Sequence, residues 1–248
     1  MDERSVPNAV PERPPADASR PSQATAGPSA GRPLDDPRAL TILTTEHWSL
    51  LSARALVYNE AFARAGMYLT FLSASLVALG LLATGGRLGS DMLLVAAVVL
   101  AVDLFVGLAT MGRVVSATRE DVRFLQGMNR IRHAYHELVP GLEPYFIAGK
   151  HDDLEGVFEI YGAAPVSSAL TSIVHGLTTV PGMLTVVNAA LAGVLAGVLA
   201  TIAGIAAVGG VIIGIGTLSL AVALGIRTQR RQVLDFAARQ DARFPTPR

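Results

Sequence analysis

The chain has 248 residues and a formal net charge of zero; 51% of the residues are hydrophobic and only 16% are charged. Soluble domains carry about 25% charged residues. Here the apolar residues are gathered in long runs, which is typical of a membrane protein. The chain contains no cysteine, so disulfide bonds and thiolate metal or redox sites are excluded.

Residues 1–36 form a proline-rich segment, with seven prolines among Ser, Ala, Arg and acidic residues. Such a composition cannot bury enough apolar surface to offset the entropy lost on ordering, so we expect a disordered tail. No apolar run lies near Met1, and a signal peptide is therefore not predicted.

The first predicted helix begins at Asp36 as the N-cap, with Pro37 in its first turn. Residues 37–64 repeat apolar side chains at three- and four-residue intervals, which predicts an amphipathic helix. It leads directly into residues 65–84, which are twenty residues without a charge. That run would extend about 30 Å as a helix, the thickness of a bilayer's hydrocarbon core.

A turn at residues 85–91 and a second apolar run at residues 92–111 predict a transmembrane hairpin over residues 65–111. Residues 112–182 are predicted to follow it as a cytoplasmic helical segment.

Within that segment, the helical pattern continues beyond the second span and ends at Pro140-Gly141. Residues 152–161 suit one more short helix. Residues 166–180 interleave apolar side chains with Ser, Thr and His. This two-faced pattern favours a helix lying in the membrane interface over a span.

The second uncharged tract covers residues 160–226 and is 67 residues long, so three spans would fit by length. Because the tract's early part is the predicted interfacial helix, we assign only residues 183–226 to the membrane. They form a second hairpin of two spans, with a tight turn between Gly204 and Gly210. The predicted fold is all-α: an integral membrane four-helix bundle of two transmembrane hairpins with cytoplasmic amphipathic helices.

The basic residues near the predicted span ends lie on one side, whereas the two outer turns contain only Arg87. Since positive residues stay in the cytoplasm, the protein is expected in the cell membrane with both termini cytoplasmic, including a basic tail at residues 227–248. The outer turns are too small for a large ligand, so function is expected within the bilayer or on its cytoplasmic side. The sorted residues are Arg54, Arg64, Arg113, Arg119, Arg123, Arg130, Arg132, Arg227, Arg230 and Arg231.

Asp103 is the one acid in the middle of a predicted span, about 14 Å from its cytoplasmic end. An ionised carboxylate at that depth costs about 2.5–3.5 kcal/mol, and such residues often mark function. Two interpretations stay open: a protonated or hydrogen-bonded structural acid, or a proton- or ion-coupled site. Asp103 and Asn188 are the intramembrane functional candidates; the other candidate partners of the acid are Thr70, Ser73 and Ser75.

Small residues recur every four positions on one face of each span of the second hairpin. This pattern lets helix backbones approach closely in lipid. We favour packing within the hairpin, and a homo-oligomer stays open as the alternative. The residues are Ala189, Gly193, Gly197, Ala206, Gly210 and Gly214.

His133, Glu137 and His151 form a weak candidate metal site, because the first two share a helix face at four-residue spacing. Their spacing matches no standard zinc signature. A solvated polar face near the membrane is the preferred interpretation, so no metal or other cofactor is predicted.

The arginine-rich helix after the second span is explained by membrane anchoring, since each arginine near anionic headgroups contributes about 1 kcal/mol of attraction. A nucleic-acid partner is therefore not predicted. There is no Gly-rich phosphate loop after a strand and no recognisable Ser-His-Asp set, so we do not expect an enzyme.

The stretch GMNRIRHAYHELVPGLEPYF, residues 127–146, lies behind a two-span hairpin. It resembles a motif in uncharacterised integral membrane proteins of actinobacterial type. No activity is assigned to that family, so the resemblance supplies no functional residues. In layout alone, the chain also resembles SLATT-type two-span domains, which are similar to pore-forming effectors of bacterial conflict systems. The additional hairpin departs from that pattern.

Two functions follow as expectations. The first is a non-enzymatic scaffold or signal-responsive membrane protein whose cytoplasmic helices dock a protein partner. The second is a small channel, a pore-forming effector or a proton-linked transporter that uses Asp103.

Overall fold

The computed structural model describes residues 32–85, 90–160, 179–238 and 241–247, and these residues form helices and connecting turns without a strand. Most of the predicted proline-rich tail and of the predicted interfacial helix at residues 166–180 lies outside the described residues. The α-helices are α1 (Ala39–Thr84), α2 (Ser90–Leu138), α3 (Leu154–Ile160), α4 (Val180–Ile202) and α5 (Ala207–Ala238), with 3-10 turns at Pro33–Asp35 and Glu143–Tyr145.

Helix α1 is continuous: the predicted amphipathic helix and the first span form one helix of 46 residues. It begins at Ala39 with Arg38 at the N-cap, so the prediction of Asp36 as the N-cap is wrong. The reason is a preceding turn, in which the Asp36 carbonyl accepts a hydrogen bond from the Ala39 amide at 2.8 Å. The Asp36 carboxylate instead accepts the amide of Arg38, also at 2.8 Å.

Helix α2 runs for 49 residues and ends at Leu138, just before the Pro140-Gly141 pair. Proline cannot continue the hydrogen-bond ladder, and Gly141 adopts a φ of 93°, which favours glycine. The chain then turns back, and α3 packs against α2 through Val157, beside Leu125 and Met128.

The long helices pack in antiparallel pairs. Along α1 and α2, Glu60 bonds Arg113 and Ser75 bonds Asp103, so residue numbers rise on one helix as they fall on the other. Helices α4 and α5 pack in the same way, and α2 also contacts α4. Helices α2 and α4 therefore lie centrally, between α1 and α5.

Among the described residues, four helices (α1, α2, α4 and α5) contain stretches long and apolar enough to cross a membrane. Helix packing leaves most of this apolar surface exposed: only 6% of the most apolar part of α5 is buried. Apolar surface on this scale is unfavourable in water. The four candidate spans therefore suggest a multi-pass membrane protein.

Candidate functional site

Asp103 faces inward from α2 and is fully buried. The Ser75 hydroxyl on α1 donates a hydrogen bond to its Oδ1 at 3.0 Å. Its Oδ2 has no hydrogen-bond partner among the described residues. The other two predicted hydroxyls bond carbonyls of their own helix instead, Thr70 to Gly66 at 3.0 Å and Ser73 to Leu69 at 2.8 Å. One of the three candidate hydroxyls thus reaches the acid.

Asn188 lies on α4 and contacts a residue that the sequence did not single out, Tyr68 of α1. The Tyr68 hydroxyl donates to Asn188 Oδ1 at 2.8 Å, and both side chains are almost fully buried. The amide nitrogen of Asn188 has no acceptor in the described part of the chain. A signal for Tyr68 was present, because a tyrosine that is buried within a span needs a partner for its hydroxyl.

The hydrogen bond between Tyr68 and Asn188 passes α2 at Gly107, where there is no side chain to block it. A Cβ built there would collide with Asn188 Oδ1 and lie 2.5 Å from the Tyr68 hydroxyl. Asp103 is one helical turn away from Gly107 on the same face of α2. We call Tyr68, Ser75, Asp103, Gly107 and Asn188 the intramembrane polar cluster. It joins three helices with few hydrogen bonds, and it leaves one carboxylate oxygen and one amide donor unpaired.

Four of the six predicted small residues face one another between α4 and α5. A Cβ at Gly193 would lie 2.7 Å from the Gly214 carbonyl oxygen, and one at Gly210 would lie 3.1 Å from that of Gly197. Backbones this close are typical of small-residue helix packing in lipid. Ala189 is buried. Ala206 is exposed and precedes α5, because the turn occupies residues 203–206.

On the opposite side of α2, the C-terminal segment 241–247 lies against the loop before α3. Fully buried Asp152 accepts the Phe244 amide on Oδ1 at 2.7 Å and the Arg243 amide on Oδ2 at 3.0 Å. Its own amide donates to the Phe244 carbonyl at 3.2 Å. Arg130 Nε of α2 completes the arrangement, at 2.6 Å from Asp152 Oδ2. The segment is thus held largely through its backbone.

Two further contacts extend this interface. Asp153 accepts the Thr246 amide at 3.0 Å and the Thr246 hydroxyl at 2.9 Å. The Phe244 ring stacks on His133 with a centroid distance of 3.9 Å. We call the surface formed by Arg130, His133, His151, Asp152 and Asp153 the tail groove.

Electrostatics favour charged carboxylates in the tail groove. Burial would raise the pKa of Asp152, but the Arg243 amide, the Arg130 guanidinium and the Phe244 amide together hold it below its ordinary value. Burial would also raise the pKa of Asp153. The amides of Thr246 and Gly156 and the Thr246 hydroxyl outweigh burial and lower this pKa.

The weak candidate metal residues contribute to the same surface. His133 Nε2 lies 3.3 Å from Glu137 Oε1, whereas His151 Nδ1 lies 3.3 Å from the Phe244 carbonyl oxygen. Within the described ranges, no group of three or more His, Asp or Glu side chains is placed to hold a metal ion.

A third polar set joins α1 and α2 where their apolar stretches begin and end. Glu60 accepts Arg113 Nη2 at 2.8 Å and Arg64 Nε at 2.9 Å. These bonds, with that from Arg113 the stronger, lower the pKa of Glu60 to about 2. Further along, Arg54 Nε donates to buried Asp121 at 2.5 Å.

The chain matches no protein-family model, no curated protein and no solved structure. Function is therefore argued from the sites themselves.

Proposed function

We propose that this protein is a non-enzymatic, signal-responsive protein of the cell membrane whose cytoplasmic layer docks a partner. In this proposal four spans form two transmembrane hairpins with both termini in the cytoplasm. The observation that carries it is the bound C-terminal segment: residues 241–247 occupy the tail groove as a peptide would occupy a binding protein.

The chemistry of the groove supports recognition of a replaceable peptide. Asp152 and Asp153 accept backbone amides, which every non-proline residue offers. The Phe244 ring supplies the main side-chain contact, against His133. A partner segment with an aromatic residue in the same register would satisfy the same groups. The chain's own tail then acts as an occupant that a partner displaces.

The position of the groove supports signal transmission. Arg130, which binds Asp152, and Asp103 lie on the same uninterrupted helix, about 40 Å apart at 1.5 Å per residue. The tail follows α5, so an occupied groove also ties the end of the fourth candidate span to α2. If a partner displaced the tail, the end of α5 would be released from α2. Helix α2 could then move as one rigid helix.

Binding of a fluorescent peptide with the sequence of residues 241–247 tests this proposal. The full-length protein in detergent micelles is compared with Phe244→Ala, which weakens its own tail, and with Tyr145→Ala, an exposed aromatic control in the same layer. An aromatic contact contributes about 0.5–1.5 kcal/mol. We therefore expect Phe244→Ala to bind the peptide about three- to tenfold more tightly than wild type, and Tyr145→Ala to match wild type. Equal or unsaturable binding by all three proteins contradicts the proposal.

A second function, proton-linked transport or a small channel, is favoured by one observation: Asp103 Oδ2 and the Asn188 amide nitrogen are both buried and have no hydrogen-bond partner among the residues that the structure describes. A buried acid with a free oxygen can take up and release a proton. Purified protein in liposomes tests this, with Asp103→Asn compared with Asp91→Asn, an acid in the first turn of the same helix. Loss of proton flux in Asp103→Asn alone supports transport, and equal flux in all three proteins removes it.

A further inference from the structure

A groove opens between α1 and α2 on the side that α4 does not cover. Its volume is about 380 Å³, and its walls include Met67 and Phe71 of α1 and Phe105 of α2. These side chains are among the exposed large hydrophobics, with Phe105 73% exposed. None of the other described helices contributes a residue to the groove, so in a membrane it opens to lipid.

Two arginines form one end of this groove, Arg64 and Arg113. Arg113 is fully engaged, since its Nε and Nη2 donate to Glu60 and its Nη1 to Glu120. Arg64 donates only its Nε to Glu60, and its two Nη groups have no acceptor in the part of the chain that the structure describes. The Arg64 side chain is 52% exposed. One guanidinium edge is therefore free to bind an anion.

The two acids lie behind the arginines and not in the groove. Neither Glu60 nor Glu120 lines it; Glu60 is one helical turn further from the apolar walls than Arg64. Glu60 holds both arginines in place, because it accepts hydrogen bonds from Arg64 Nε and from Arg113 Nε and Nη2. A molecule in the groove meets apolar walls along its length and positive charge at one end.

We propose that this groove binds one anionic phospholipid, with the headgroup phosphate on the free edge of Arg64 and an acyl chain along Met67, Phe71 and Phe105. The proposal rests on the membrane insertion that the proposed function assumes. Arginine binds phosphate through paired N–H donors, and an anionic headgroup is preferred because the exposed edge of Arg64 adds attraction for its net charge. Arg64 and Arg113 flank the two predicted spans, at the depth where headgroups lie.

The lipid would also reach the intramembrane polar cluster. Tyr68 forms part of the groove wall, and its hydroxyl is the donor to Asn188 on α4. An acyl chain in the groove would therefore hold the Tyr68 ring in the orientation that joins α1 to α4 across Gly107.

Native mass spectrometry of the full-length protein, released from detergent micelles, tests the proposal by counting bound phosphatidylglycerol and phosphatidylcholine. Wild type is compared with Arg64→Gln and with Arg123→Gln, a matched removal of an exposed arginine further along α2. We expect wild type to retain one phosphatidylglycerol at about tenfold lower lipid concentration than phosphatidylcholine. Arg64→Gln should lose that preference and Arg123→Gln should keep it.

A second variant tests the apolar wall. Ala109 lines the groove and is exposed, so Ala109→Phe fills the groove without disturbing buried residues. It should lower retention of both lipids. Inorganic phosphate at millimolar concentration should not displace phosphatidylglycerol, because it lacks an acyl chain.

Equal retention of the two lipids by wild type overturns the proposal. The proposal is also overturned if Arg64→Gln and Arg123→Gln lose the preference for phosphatidylglycerol equally. Displacement by inorganic phosphate would assign the Arg64 edge to a free anion and also overturns it. The peptide-binding measurement on the same samples keeps this result separate from the proposed function, because Arg64 is not part of the tail groove. If the protein sediments only when membranes are present but shows no lipid preference, the lipid-binding proposal is contradicted and the proposal of membrane insertion is not.

Discussion

Two aspartates of this chain are both fully buried, and they are held in opposite ways. Asp152, at the tail groove, accepts two backbone amides and the Arg130 guanidinium. Asp103, in a candidate span, accepts one hydroxyl, and its other oxygen has no donor within the described ranges. A carboxylate with several N–H donors stays charged and anchors its surroundings, whereas one with a single neutral donor is more stable when it carries a proton.

The comparison extends to the regions around the two residues. The region around the tail groove is joined by hydrogen bonds and ion pairs, while α4 and α5 pack closely at glycines and Gly107 lies where three candidate spans meet. In lipid the hydrophobic effect does not drive helices together, so packing takes its place. Substitution of these contact glycines should therefore be harmful in the spans, and substitution of a buried acid should be more harmful around the tail groove than in the spans.

The largest effect is expected for Gly107→Ala. The added Cβ collides with Asn188 and Tyr68, and such overpacking costs about 3 kcal/mol where nothing can move aside. Thermal unfolding of the purified protein in micelles measures this. Gly112→Ala on the same helix is the control, because a Cβ there meets nothing within 4 Å. Equal melting temperatures for the two variants would mean that the three helices do not meet at Gly107.

The second-largest expected effect is a difference in stability between substitutions of the two buried aspartates. Asp152→Asn removes the charge from a fully buried group and weakens three hydrogen bonds, which should cost about 2 kcal/mol of tail docking. Asp103→Asn keeps an acceptor for Ser75 and replaces a neutral acid by a neutral amide of similar shape, so its stability should stay within about 0.5 kcal/mol of wild type. Hydrogen exchange of the Arg243 and Phe244 amides checks the first variant, and thermal unfolding checks the second. A larger loss of stability for Asp103→Asn than for Asp152→Asn would contradict the expected difference between the two aspartates.

A smaller effect is the pH dependence of tail docking. The docked tail donates hydrogen bonds that help to hold the pKa of Asp152 and Asp153 below the ordinary value, and both pKa values should be higher when the tail is undocked. Docking is therefore fully favoured well above the ordinary aspartate value of about 3.9, and it weakens as the pH falls through the lowered values. Amide protection at Phe244 should be flat between pH 6 and pH 8 apart from the intrinsic exchange rate, and it should decline as the pH falls below about 3.9. Loss of protection already at about pH 6 would contradict this prediction, because both aspartates are still charged there.

The sequence predicted the parts of this molecule that local pattern determines. Uncharged tracts of the right length predicted four long apolar helices, and Pro140-Gly141 predicted the end of α2. The start of α1 was misplaced by a few residues, because Asp36 bonds a turn and not the helix itself. The sequence identified Ser75 only as one of three candidate hydroxyls for Asp103, because helical spacing does not show which of the three faces α2.

Contacts between distant residues could not be read from the sequence. Asp152 and Phe244 are far apart along the chain, and no local pattern predicts that a charged loop binds the C-terminal segment. His133 and His151 both contact Phe244, one through its ring and the other through its carbonyl oxygen, and the spacing of the two histidines along the chain does not predict this shared partner. Gly107 looked like one more small residue in an apolar run, because its role depends on Tyr68 and Asn188 from two other helices.

The smallest expected effect tests how the single hydrogen bond to Asp103 contributes. Ser75→Ala removes that donor, and a polar contact between helices in lipid contributes about 0.6 kcal/mol on average. Ser73→Ala is the control, because the Ser73 hydroxyl bonds only a carbonyl of its own helix. Thermal unfolding should therefore separate Ser75→Ala from Ser73→Ala by about 1 °C or a few degrees at most. A loss of several kcal/mol for Ser75→Ala would mean that Asp103 is charged and anchored as Asp152 is, and the contrast between the two regions would no longer hold.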